Sequence, residues 1–91
     1  MKSNKKITGK LSHIFEIPED IANDLPKITL IGNEKITIEN YKGLLEFNEK
    51  RIKVRTTSNV IEIIGNKLFI LEIEKDYIIV KGEIETYSVM E

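Results

Sequence analysis

Cysteine and tryptophan are absent from this 91-residue chain, histidine occurs once and proline twice. Without cysteine there is no disulfide framework and no thiolate chemistry, a composition that fits a reducing interior. The single histidine, His13, leaves no Ser–His–Asp or Cys–His set to assemble, and it is expected on the surface of the leader. No run approaches the roughly 18 to 20 apolar residues of a membrane span. The start lacks the apolar h-region and small-residue cleavage site of a signal peptide, so export is not expected. Neither GxGxxG nor GxxxxGKS occurs, which removes the usual phosphate loops. Net charge is −1, so the field of the whole molecule argues neither for nor against nucleic acid.

The charge is unevenly placed. Residues 1–13 hold Lys2, Lys5, Lys6 and Lys10 with no acid, and the remaining residues set ten Lys and Arg against fifteen Asp and Glu. Within this basic leader, Ile7, Leu11, Ile14 and Phe15 recur at i, i+4, i+7 and i+8, one face of an amphipathic helix over residues 5–15. Gly9 weakens that helix by up to about 1 kcal/mol. A short second helical turn is expected over residues 18–24, opened by Pro18 and closed by the constraint of Pro26 on Leu25. The stripe can cover a sheet, or it can lie on an anionic membrane with Lys5, Lys6 and Lys10 beside the headgroups. Cover is the expectation, because a small β domain needs something over its open face. The chain thus divides into a leader, residues 1–26, and a β domain, residues 27–91.

From Lys27 the apolar period changes from 3.6 to 2. Apolar runs at 28–31, 35–39 and 44–47 are punctuated by Gly32-Asn33 and by Asn40-Tyr41-Lys42-Gly43, the spacing of a β-meander. Side chains opposite one another in a hairpin share a face. A three-residue loop Gly32-Asn33-Glu34 sets Ile28 against Ile38 and Leu30 against Ile36, and it is preferred over a two-residue loop that would mate Leu30 with Lys35. Folding at Glu49-Lys50 places Phe47 against Ile52, Leu45 against Val54 and Glu46 against Lys53. Further strands are expected at 60–64, ended by a turn at Gly65-Asn66, then at 68–71, 77–81 and 83–89. Leu68-Phe69-Ile70-Leu71 reads as covered on both faces, and Gly82 as a bulge. The expected fold is mainly β, with about eight short, mostly antiparallel strands in a small sandwich or rolled sheet behind the amphipathic helix.

Three surface sets could carry chemistry. Glu72, Glu74 and Asp76 alternate along one strand face, but a flat strand does not wrap a cation, and the same alternation discourages edge pairing. Arg51, Lys53 and Arg55 line another face and could track phosphates. That stripe lacks interleaved aromatics and has Glu46 and Glu49 beside it, so a solvated face is the expectation. Asn40, Tyr41, Lys42 and Gly43, a turn offering an aromatic and a cation, are the candidate interaction surface.

Pro18-Glu19-Asp20, the segment Leu25-Pro26-Lys27-Ile28-Thr29-Leu30-Ile31-Gly32-Asn33 and the segment Ile38-Glu39-Asn40-Tyr41-Lys42-Gly43-Leu44-Leu45-Glu46-Phe47 together resemble the YabP/YqfC sporulation protein family, most closely its YqfC branch. The likeness runs from about Ile14 to Val89 and is most specific over Leu-Pro-x-Ile-Thr-Leu-Ile-Gly. The leader lacks the tryptophans of that branch, and Tyr41-Lys42 stands where His-Arg is usual. The resemblance implies a role in spore formation in the mother-cell cytoplasm, close to the membrane through a membrane-protein partner. It also implies no catalytic activity, no cofactor and no small-molecule substrate. Exposed strand edges add self-association as a further expectation. A nucleic-acid-binding β module using Arg51, Lys53 and Arg55 is the alternative.

Overall fold

The computed structural model describes residues 24–90, which form one antiparallel sheet of six strands. The strands are β1 (Lys27–Ile31), β2 (Lys35–Glu39), β3 (Gly43–Phe47), β4 (Arg51–Arg55), β5 (Val60–Ile73) and β6 (Tyr77–Met90). Their order across the sheet is β1-β2-β6-β5-β4-β3. The expected helices over residues 5–15 and 18–24, and with them His13, Lys5, Lys6 and Lys10, lie outside the described residues, apart from Asp24.

The first hairpin has the register that parity selects. Ile28 faces Ile38 and Leu30 faces Ile36 across a three-residue turn, with Gly32 at φ +55. A Cβ on Gly32 would meet nothing within 4 Å, so the constraint there is backbone conformation alone. Gly32→Val is therefore expected to cost on the order of 1–3 kcal/mol. A melting curve unchanged by Gly32→Val would contradict this turn.

The second hairpin pairs Phe47 with Ile52 and Glu46 with Lys53, as parity requires, and the Lys53 ammonium lies 3.8 Å from the Glu46 carboxylate. Leu45 does not face Val54, however. Leu44 does, and the ladder slips by one residue between Leu44 and Glu46. A bulge on this outermost strand is a usual way to bend an edge away from pairing.

The expected turn at Gly65-Asn66 is absent, and the bulge at Gly82 does not divide its strand, which reduces eight strands to six. Gly65-Asn66 lies inside β5, and Gly82 lies inside β6; the ladder slips at both places while the strands continue. Gly65 has no left-handed conformation to accommodate. Its need is space, since a Cβ there would fall 2.0 Å from the Glu83 carbonyl oxygen. Gly82 is the expected bulge, at φ +140, and opposite it Lys67 takes φ +54. β5 and β6 thus make a single long ribbon, bent at its middle.

The two short hairpins attach to opposite ends of this ribbon. β2 pairs with β6 from Tyr77 to Lys81, whereas β4 pairs with β5 from Val60 to Ile64. Each hairpin turn also ties the bend. Lys50 O and Glu49 O accept from the Gly65 and Leu68 amides, while Glu34 O and Asn33 O accept from the Gly82 and Ile84 amides. Exchanging β1 with β3, β2 with β4 and β5 with β6 reproduces the strand order, so the sheet has an internal two-fold pattern.

That bend folds one half of the sheet over the other. Ile36, Ile38, Ile78 and Val80 from one half join Ile52, Val54, Ile61 and Ile63 from the other in one cluster, all 0% exposed. Leu68 and Ile84 fill the bend between them. The fold is a rolled sheet, the second of the two forms the sequence allowed. Leu68 alone of its tetrapeptide is buried; Phe69 and Leu71 are about half exposed, so that segment is not covered on both faces by the described residues. At the β4–β5 turn, buried Thr56 donates through Oγ1 to Asn59 Oδ1 at 2.8 Å and accepts from the Asn59 amide at 3.2 Å.

Candidate functional site: a carboxylate clasp between two open seams

Asp24 precedes β1 with φ +58, a left-handed conformation that Asp and Asn adopt more readily than most residues. Its carboxylate gathers three donors from separate parts of the chain. Asn40 Nδ2 reaches Oδ1 at 2.8 Å, Lys42 Nζ reaches the same oxygen at 3.1 Å, and Thr57 Oγ1 reaches Oδ2 at 2.9 Å. Asn40, itself at φ +64, also donates to Leu25 O at 3.0 Å. The clasp therefore joins the entry to β1, the β2–β3 connection and the β4–β5 turn. The hydrogen bonds from Asn40, Lys42 and Thr57, in that order, hold the Asp24 carboxyl below its ordinary value of 3.8.

Because that pKa is depressed on folding, its stabilisation is complete above 3.8 and is lost as pH falls through the lower, folded value. Asp24→Asn keeps the left-handed preference and removes the charge. It is expected to lower the melting temperature at pH 7, with the gap to the native chain closing in strong acid. A gap independent of pH would separate the effect from the carboxylate.

The four candidate contact residues all have work inside the fold. Tyr41 packs against the core cluster, and its hydroxyl donates to Glu74 O at 2.7 Å. Asn40 and Lys42 hold Asp24, and the Lys42 amide donates to Arg55 O at 2.7 Å. The Arg55 guanidinium lies over Gly43, where an added Cβ would sit 3.1 Å from Nη2. Tyr41 is thus part of the packed structure as well as of the candidate surface. Asp24 itself was not singled out in the sequence, and an acid before Leu-Pro carries no signal of its own.

The other surface sets are also placed. Arg51 Nε pairs with Glu62 Oε2 at 3.2 Å, Lys53 lies between Glu46 and Glu62, and Arg55 Nη2 donates to Lys42 O at 3.4 Å. Interleaved acids leave this stripe little net positive potential. No salt-sensitive complex with single- or double-stranded nucleic acid is expected at physiological salt. A micromolar complex lost when Arg51, Lys53 and Arg55 become Ser would overturn that expectation. The Glu72 carboxylate accepts from the Tyr77 hydroxyl, which pushes the phenol up to about 12. Among the described residues no group of three or more His, Cys, Asp or Glu could hold a metal ion. Nor is any helix there long and apolar enough to cross a membrane.

Two open seams are left along the roll, between strand edges that carry no ladder to each other and lie apart except near their ends. In the first, β3 and the part of β5 beyond Leu68 run in opposite directions without lying alongside each other. The ends are tied by Leu68 N to Glu49 O at 2.8 Å and by Tyr41 Oη to Glu74 O at 2.7 Å. Between these ties β3 pairs only with β4, and β5 only with β6. The second seam lies between β1 and residues 85–90 of β6, tied by Ile84 N to Asn33 O at one end. The Asp24–Thr57 bond stands at the other.

The sequence profile of the YabP family matches residues 23–90. The chain is 35% identical over 81 residues to the "Uncharacterized protein YqfC" of Bacillus subtilis (strain 168), covering 89% of this chain and 87% of that relative. No solved structure matches. A profile match spanning the whole rolled sheet, with an identity of this extent, shows that the chain belongs to the YabP/YqfC family.

Proposed function

We propose that this protein is a non-enzymatic component of spore formation, working in the mother-cell cytoplasm by binding a membrane protein of the same process. The family resemblance supports the process and the compartment. The observation that carries the contact is the second seam, which offers unpaired backbone on both sides. The outer edges of β1 and of residues 85–90 have no ladder partner among the described residues. Ile31 and Val89 are more than half exposed there, at 57% and 53%. An extended segment of a partner can add to such an edge, with main-chain hydrogen bonds supplying affinity and apolar side chains supplying selection. Within the candidate set Asn40, Tyr41, Lys42 and Gly43, it is Asn40 and Lys42 that serve this contact, by holding Asp24 at the end of the seam. Lys5, Lys6 and Lys10 add attraction to an anionic membrane surface.

The test pairs a deletion strain with co-purification of membrane proteins from sporulating cells solubilised in mild detergent. Deletion is expected to lower the yield of heat-resistant spores. Ile31→Lys and Val89→Lys are expected to leave the melting temperature nearly unchanged and to abolish co-purification. Normal sporulation of the deletion strain would overturn the role, and full binding by both variants would overturn the edge.

A further inference from the structure

The outward face of the β1-β2-β6-β5 half carries its charges in two separate groups. Residues directly opposite on neighbouring strands share a face, so the ladders order this surface into rows. Ile31, Lys35, Lys81 and Phe69 make one row, with the two lysines side by side. Thr29, Thr37, Ile79 and Glu72 make the next, and Lys27, Glu39 and Tyr77 the third. On β2 and β6 these residues alternate with the buried Ile36, Ile38, Ile78 and Val80, so they point away from the core. Like charges directly opposite destabilise a ladder. Among the described residues neither Lys35 nor Lys81 is in an ion pair, although Glu34 and Glu83 are near them in sequence. The acids gather at the far end of the face. There Glu39 lies opposite Tyr77, Glu72 accepts from the Tyr77 hydroxyl, and Glu74 follows at the ribbon tip. Lys27, opposite Glu39, stands among them. The corresponding face of the other half differs: Arg51 pairs with Glu62 and Lys53 with Glu46, so its charges are met within the chain.

We infer that this face binds the same face of a second copy of the chain. A two-fold axis lying across the strands, along the row of Thr37 and Ile79, turns the lysine end of one copy onto the acidic end of the other. It sets Lys35 over the partner's Glu39 and Glu39 over the partner's Lys35, with Lys81 facing the acids around Tyr77. Both charged residues of β2 stand two positions from Thr37, about 7 Å to either side, so the rows meet in register. Such an isologous contact closes on itself as a dimer. Thr29, Thr37 and Ile79 leave three of the four places in the middle row uncharged, so few ions are desolvated there. Ile31 and Phe69, 57% and 47% exposed, lose contact with water at the rim. Size sets the strength. Four strands and three rows span about 14 by 14 Å, well below the roughly 800 Å² per partner of a standard interface. The dimer is therefore weak, and salt weakens it further. The contact uses no strand edge and leaves both seams open, so it stands independently of the sporulation role and of strand addition.

Sedimentation velocity on the full-length chain reads the association. A monomer–dimer equilibrium is expected, shifting towards monomer as salt is raised. Lys35→Glu and Glu39→Lys are each expected to weaken dimerisation about tenfold or more, because each sets like charges together at two symmetric places. Mixing the two variants is expected to restore association, as a dimer with one copy of each, since opposite charges then meet at both places. Combining Lys35→Glu and Glu39→Lys in one chain should restore it too. Lys81→Glu, on the neighbouring strand, supplies a third variant expected to weaken the dimer. All are expected to melt as the native chain does when dilute. A native chain still monomeric at about 1 mM would overturn the inference. A dimer indifferent to every reversal would also overturn it, and so would a mixture no more associated than its components. A monomeric native chain that binds phosphatidylglycerol vesicles, with binding lost in Lys35→Glu and kept in Glu39→Lys, would give the lysine row to a membrane surface instead.

Discussion

Gly65→Ala is expected to leave the domain largely unfolded at 37 °C. The added methyl would sit 2.0 Å from Glu83 O and 3.0 Å from the Glu83 carbonyl carbon, with Ile84 Cα at 3.1 Å. All three are backbone atoms of the strand that shares the bend, so no rotamer change relieves the clash. Moving β6 away opens the bend, and with it the Gly82 and Ile84 amides lose the carbonyls of the first hairpin turn. Overpacking of this kind costs typically 1–3 kcal/mol, and more where backbone must move. The whole stability of a domain this size is only about 5–15 kcal/mol. Circular dichroism and a melting curve give the readout. A folded Gly65→Ala chain with a native melting temperature would show that the strands do not approach as described. The contrast with Gly32 is instructive, since that glycine is needed for its dihedral angle and this one for its missing side chain.

The second large effect is in the shared core. Ile36→Ala and Ile52→Ala alter opposite halves of the roll, yet both residues belong to one cluster and are 0% exposed. Each is expected to cost about 2–5 kcal/mol through lost transfer energy and the cavity left behind. At roughly 4–8 °C per kcal/mol for a domain of this size, either change lowers the melting temperature well beyond experimental error. Both variants are expected to unfold in one cooperative transition, with hydrogen exchange accelerated in both halves. Two separate transitions, or faster exchange confined to the mutated half, would mean that the halves do not share a core.

Period-2 patterning made the first hairpin and most of the second legible, because a wrong register would have put Lys35 where Ile36 belongs. The same pattern could not tell a turn from a bulge. Ile31-Gly32-Asn33 and Ile64-Gly65-Asn66 are the same tripeptide context, yet one reverses the chain and the other lies within a strand of fourteen residues. The difference is made by Glu83, which is close in space but remote in sequence. The slip at Leu45 escaped for a related reason: on an outermost strand neither alternation nor burial is enforced on the free side. The clasp was hidden more deeply. Asn40 and Lys42 drew attention as surface residues, but their partner Asp24 lies sixteen and eighteen positions away on a stretch with no periodicity to mark it.

The placement of the ribbon also governs how the chain can acquire its structure while it is being made. β5 and β6 are the central strands of the sheet, yet they are synthesised after both hairpins that depend on them. β2 has its outer ladder only with residues 77–81, and β4 only with residues 60–64. An emerging chain that ends before Tyr77 therefore holds the β1–β2 hairpin, marginal alone in water, apart from a β3–β4–β5 meander, with no β6 to join them. Ile36, Ile38, Ile52 and Val54 cannot join one core until β6 arrives with Ile78, Val80 and Ile84. Folding must then proceed by late, long-range closure, the slow regime for sheets, during which bare edges invite association with other chains. A ribosome stalled before residue 77 would accordingly display a protease-sensitive chain, and protection should appear in one step once β6 has cleared the exit tunnel.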